Sequence, residues 1–207
     1  MKRSKSKYVG LMLAAVILAI VALGWMMISR GFSAKLEPNA AEAFIARRFR
    51  RLAIPRGALE AVNPVEASPE VLSGAMEHFA DHCASCHGND GSGRTLIGRG
   101  LYPKPPDMSQ PATQELSDGE LYYVIENGVR FTGMPAFGED TGGLDNKESW
   151  ALVHFIRHLP VITDEEIAEV KSMIPKSPRE LKKEEAIRKF LEGDDSAPAP
   201  DSNQHHH

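Results

Sequence analysis

Tyr8 to Ile28, "YVGLMLAAVILAIVALGWMMI", is a run of 21 residues without a charge. In an apolar solvent such a run must bond every backbone N–H and C=O within itself, which a helix does. At 1.5 Å per residue it spans about 30 Å, the hydrocarbon thickness of a bilayer. Lys2, Arg3, Lys5 and Lys7 precede it. A basic flank of this kind stays on the cytoplasmic side. The expectation is a single-pass anchor in the inner (cytoplasmic) membrane, held in lipid through residues 8–28. Its N-terminus is then cytoplasmic, the rest of the chain periplasmic, and Trp25 near the far interface. A cleaved secretory signal is the rival reading. Its apolar core is usually ~7–15 residues and ends at an A-x-A-like site. The nearest small-residue candidate here, "GFSAK", has Phe32 where a small side chain is preferred.

The remainder divides by composition. Residues 1–30 form the basic N-terminus and anchor, and residues 31–67 a stalk. In the stalk Ala41, Phe44, Ile45, Phe49 and Leu52 recur at helical spacing beside Arg47, Arg48, Arg50, Arg51 and Arg56. Such a helix suits anionic lipid, a partner subunit, or packing by one face on the main domain. "NPVEASP" reads as an extended linker. Residues 68–162 are the main domain and residues 163–192 a charged helical extension. That extension clamps onto the main domain or the stalk. Residues 193–207, ending in three histidines, read as a disordered tail or a tag remnant. No basic stripe with interleaved aromatics is present, so nucleic acid is not an expected partner.

The main domain reads as all-α. Ser68-Pro69 opens a helix carrying Val71, Leu72, Ala75, Met76 and Phe79 on one face. Ser117 with Glu120, and Asp145 with Glu148, have capping-box spacing before "ELYYVIENG" and "SWALVHFIRHL". Thr163 with Glu166, and Ser177 with Glu180, repeat it in the extension. Between the helices lie long Gly/Pro-rich loops, "GNDGSGRTLIGRGLYPKPPDM" and "NGVRFTGMPAFGEDTGG". Loops of this length seldom lack a function, and a core this small is short of apolar surface. A large apolar cofactor would order the loops and complete the core.

The only two cysteines, Cys83 and Cys86, stand in "CASCH" with His87 next in line. A redox dithiol would want strands around the motif, and none is read here. A structural zinc site would want four ligands. No third cysteine exists, although His78 and His82 keep a mixed site conceivable. Covalent haem uses every residue of the motif. Each thiol adds across one haem vinyl group, and the following histidine becomes the proximal iron ligand. Its Nδ1–H would then donate to a backbone carbonyl, with Pro103 or Pro105 the candidates. Met134, 47 residues beyond His87 in "GMPAF", supplies a soft thioether for the opposite position. Met108 is the rival ligand. Met76, Met173 and Trp150 read as packing residues.

Residues 68–159 resemble the class I c-type cytochromes, through "CASCHG", "GMPAF", Phe79 before the motif, and Phe155 with Leu152 near the end. Ala75, not Gly74, aligns with the family's small residue at the crossing of its two terminal helices. The resemblance covers less than half the chain. It implies a cytochrome c-like haem domain with one covalently bound haem c. Cys83 and Cys86 would be its thioether anchors, and His87 and Met134 its iron ligands. Leu96, Ile97, Leu101, Tyr102, Tyr122, Ile125, Val129, Phe131 and Phe137 would contact the haem. Arg94, Arg99 and Lys104 would face its propionates. With both axial positions filled, the expected role is a one-electron carrier rather than an enzyme. It would work between redox partner proteins, a donor dehydrogenase or cytochrome complex and an acceptor oxidase or reductase. Residues 68–162 carry 13 acidic and 6 basic side chains, a balance of −7, which suits a basic docking surface. The alternatives are an electron-wiring subunit of a larger membrane complex and a haem ligand sensor or peroxidase.

Overall fold

The computed structural model describes residues 2–29, 31, 33–138 and 143–191. Among these the secondary structure is helical throughout, with no strand. The expected tail, residues 193–207, lies outside the described residues.

Helix α1, Lys2–Ser29, contains the apolar segment Lys7–Met26. That segment is long and apolar enough to cross a membrane, and the rest of the protein covers none of it. Helix α2, Ala40–Ala53, starts at Asn39, whose side chain accepts from the Glu42 amide at 2.9 Å. Pro55 separates it from the single turn α3, Arg56–Leu59.

The core is the crossing of α4, Pro69–His82, with α8, Lys147–His158. The small side chain of Ala75 lets the two backbones approach, and Phe79 meets Phe155 edge to face at 4.8 Å. Both rings are fully enclosed, as are Leu152 and Val153. A Cβ on Gly74 would touch nothing, so Ala75 is the residue at the contact. Helix α7, Asp118–Asn127, joins the pair through Tyr122, stacked on Trp150 at 4.2 Å. Arg157 ties the far end of α8 to the start of α7. It donates to Asp118 at 2.8 and 3.0 Å and to the carbonyls of Gln114 and Leu116. The short helix α6, Pro111–Gln114, precedes that junction.

Three of the four expected capping boxes form: Ser117 with Glu120, Thr163 with Glu166, and Ser177 with Glu180. The fourth does not. Asn146, not Asp145, caps α8, with its side chain accepting from the amides of Glu148 and Ser149. The same side chain donates to the Glu126 carboxylate at 2.9 Å, an interaction Asp145 could not make at that register.

Two segments outside the expected main domain pack onto it. Ile54 and Ala58 are buried, and α3 lies against α7 so closely that a Cβ on Gly119 would strike the Ala58 carbonyl. Asn63 donates to the Trp150 carbonyl at 2.9 Å, and the His154 ring meets the Val65 carbonyl at 2.7 Å. On the other side α9, Asp164–Met173, packs on α4 with Val170 fully buried. Helix α10, Pro178–Leu191, buries no residue.

Two substitutions test this packing by chemical denaturation. Phe79→Ala should lower the unfolding free energy by ~3–5 kcal/mol. Gly74→Ala, entering open space on the same helix, should raise it by ~0.5–1 kcal/mol through helix propensity.

Candidate functional site

Helix α4 ends at Cys83, whose amide bonds to the Phe79 carbonyl at 2.9 Å. The chain then makes one further turn, α5, Ala84–His87. Amides of Cys86 and His87 both donate to the Cys83 carbonyl, at 3.1 and 2.9 Å. One turn thus holds both cysteines and the histidine, and it is aimed by α4. Gly88, at φ +78°, ends it.

No disulfide joins Cys83 and Cys86. Burial, and secondarily the neighbouring Cys86, push the Cys83 thiol up to about 12. A thiol so reluctant to ionise is a poor redox nucleophile, which counts against a dithiol site. Burial also holds the His87 ring below the usual histidine range, so it is a neutral imidazole with a lone pair to donate. Its Nδ1 is buried without a hydrogen-bond partner. The expected bond from Nδ1 to Pro103 or Pro105 is therefore not made. The Pro105 carbonyl lies against Gly93, whose amide donates to the His87 carbonyl at 2.7 Å. Pro103 is exposed.

The loop after α5 is locked to this turn by a residue the motif does not reveal. Thr95 Oγ1 donates to the Cys86 carbonyl at 3.1 Å and accepts from the Gly98 amide at 2.8 Å. Gly98 lies directly on the Cys86 carbonyl and begins a 3-10 turn, Gly98–Gly100. Leu101 follows, and its side chain fills the space where Gly133 would carry a Cβ. Met134 is the next residue. An unbroken series of contacts thus leads from Cys86 through Thr95, Gly98 and Leu101 to the methionine loop. That loop is held from the other side by Gly128, at φ +63°, packed on the backbone of Met134, Pro135 and Ala136. Val129 donates to the Met134 carbonyl at 3.2 Å, and Met134 donates to Thr132 Oγ1 at 3.1 Å.

The other expected contact residues are variously placed. Met108 is buried in the core and is a packing residue; Met134 is only partly covered. Tyr122 and Ile125 belong to the helical core. Leu96, Ile97 and Phe131 are exposed apolar side chains. Tyr102 donates its hydroxyl to Glu42, and Lys104 pairs with Glu37 at 2.7 Å, so the stalk engages both. Arg99 donates to the Thr95 carbonyl at 3.3 Å and stays exposed. His82 faces its neighbour Asp81 at 3.2 Å and takes no part in the turn. A groove of about 560 Å³ between α4 and α8 contains none of the cysteines, His87 or Met134.

The donor set is coherent for haem iron: a neutral imidazole and two thiols on one turn, with a thioether on a loop braced against them. Residues 71–156 match the family described as cytochrome C oxidase, cbb3-type, subunit III. That segment is a c-type cytochrome domain. No curated protein matches the chain. The cytochrome domain accounts for the haem-binding motif and for electron transfer as its general chemistry. The match does not reach the stalk, residues 31–67.

Gly128→Ala would place a Cβ within 2.7 Å of three backbone atoms of the methionine loop, at a φ that strains any L side chain. The expected result is a moved Met134 methyl resonance with the Phe79 and Phe155 resonances unchanged.

Proposed function

We propose that the cytochrome domain binds one haem c through thioethers from Cys83 and Cys86. His87 and Met134 are its axial iron ligands, and Tyr102, Pro103 and Arg99 belong to its surroundings. We propose further that the chain carries single electrons between redox proteins on the periplasmic side of the inner membrane, to which residues 8–28 anchor it. The carrying observation is the turn at the end of α4, which presents both thiols and a buried neutral imidazole together. Bound there, haem supplies a reversible one-electron couple. The residues supply the rest. His87 is kept unprotonated by burial and so remains a donor across the neutral range. The Met134 thioether favours the reduced metal and raises the potential. Its loop is braced by Gly128 and Leu101, which holds the sulfur against exchange with small molecules.

With both axial positions filled, no open position remains for a substrate, which favours a carrier over a peroxidase or gas sensor. The acidic balance of residues 68–162 favours basic redox partners. A second reading has its own support. The matching family is described as an oxidase subunit, and α10 leaves Leu181, Phe190 and Leu191 exposed. On this reading the chain wires electrons within a larger membrane complex.

Met134→Ala should lower the reduction potential and abolish the methionine–iron charge-transfer band of the oxidised protein. An unchanged potential would remove Met134 as ligand. Carbon monoxide should leave the spectrum of the reduced native protein unaltered; a shifted Soret band would favour the sensor reading. Purification from detergent-solubilised membranes separates the remaining two, since a wiring subunit returns with stoichiometric partners and a free carrier returns alone.

A further inference from the structure

Helix α2 has its apolar side on the wrong face for a helix that belongs only to this domain. Phe44, Ile45, Phe49 and Leu52 are 55%, 51%, 69% and 81% exposed. The side turned to the cytochrome domain is the opposite one. Ala43 and Arg50 are its more covered positions, and the stripe continues into buried Ile54. At 100° per residue the mean directions of the two sets differ by about 170°. Polar contacts brace the helix from both flanks, Glu42 to Tyr102 on one and Arg51 to buried Glu120 at 3.5 Å on the other. The domain therefore holds α2 with its apolar stripe pointing away.

We infer that this stripe lies in the surface of the bilayer spanned by α1, with Arg48, at the edge of the stripe, on anionic phospholipid headgroups. The inference rests on the reading of α1 as an anchor. Ten residues, 30–39, separate α1 from α2. Fully extended they reach at most about 35 Å, so α2 cannot leave the neighbourhood of the membrane. The Arg48 guanidinium lies over the Phe44 ring at 5.5 Å, so a positive charge sits beside the apolar stripe. Charge is segregated in the same sense. Helix α2 carries four arginines against one glutamate, whereas residues 68–162 carry −7. An acidic domain tethered to an anionic surface is repelled by it, and a basic helix between the two reverses the sign at the contact. Lys104 is tied both to Glu37 and to the Lys35 carbonyl at 3.2 Å, so the chain arriving from α1 runs along the 101–106 loop. A docked α2 thus sets the cytochrome domain on the membrane with that loop beside the lipid.

The test uses the full haem-loaded chain in vesicles of phosphatidylcholine, with or without phosphatidylglycerol. Single cysteines are introduced as Ile45→Cys, Leu52→Cys and, on the exposed surface of α4, Ser73→Cys. Each is labelled with an impermeant maleimide. In anionic vesicles positions 45 and 52 should label far more slowly than position 73, and detergent should equalise them. Arg48→Gln should restore labelling by about fivefold. Labelling at 45 and 52 as fast as at 73 in anionic vesicles, from a chain that still floats with them, overturns the inference and leaves the anchor standing. Protection that appears only when a second membrane protein is co-reconstituted also overturns it, and assigns the stripe to a protein partner. A chain stripped from the vesicles by alkaline wash overturns the anchor and the inference with it.

Discussion

The close crossing of α4 and α8 is the contact on which the other placements depend. Edge-to-face aromatic pairs contribute about 0.5–1.5 kcal/mol beyond their buried area, and their geometry fixes orientation as well as distance. With Phe79 set against Phe155, the last turn of α4 has one direction, and Cys83 to His87 continue it. The other end of the pair is fixed by the same contact. Helix α8 brings Trp150 onto Tyr122 and Asn146 onto Glu126, and so positions α7, whose C-terminal Gly128 holds the methionine loop. Cysteine turn and methionine loop are far apart in sequence, yet both hang from one helix pair.

Between those ends the site depends on backbone approach more than on side chains. Gly93 admits the Pro105 carbonyl, Gly98 admits the Cys86 carbonyl, Gly133 admits Leu101, and Gly128 admits the backbone of residues 134–136. Each contact falls where a Cβ would stand. Glycine is needed where these neighbours come closest, and hydroxyls supply polar pairing, Thr95 between the cysteine turn and Gly98 and Thr132 within the methionine loop.

Features that the sequence made legible are those with a local physical signature. Capping pairs three residues apart, a C-x-x-C-H turn and an apolar stripe on α4 each follow from spacing alone, and the helices, turn and core appear where the spacing puts them. What escaped was set by tertiary contact. Asp145 and Asn146 are equally good caps in isolation, and only the Glu126 carboxylate chooses Asn146. A four-residue helix, "RGAL", has no periodicity to read, so the burial of Ala58 against Gly119 had no precursor in the pattern. Tyr102 and Lys104, expected beside the haem and its propionates, also meet the stalk, because Glu42 and Glu37 return to their loop from some 60 residues away. Family resemblance ends near residue 71 and says nothing of such contacts.

The stalk is consequently held at two strengths. Helix α3 is joined to α7 by buried apolar surface, by the Gly119 approach, and by Ser117 Oγ donating to the Leu59 carbonyl at 3.1 Å. Helix α2 is held by one ion pair, from exposed Arg51 to Glu120, and by the Tyr102 hydroxyl on Glu42, and contacts with an exposed partner typically contribute about 0–1 kcal/mol each and weaken with salt. Pro55 stands between the two helices and lacks the amide that would continue one into the other. The rigid body that carries the cysteine turn therefore extends back to α3, not only to the start of α4. Any rearrangement between the anchor and this body is directed to the α2 contacts, since they are the weaker set. The turn that bears His87 is fixed by the α4–α8 core, and the 101–106 loop, which meets the stalk on one side and Gly93 and Gly133 on the other, is the part of the site adjoining such movement.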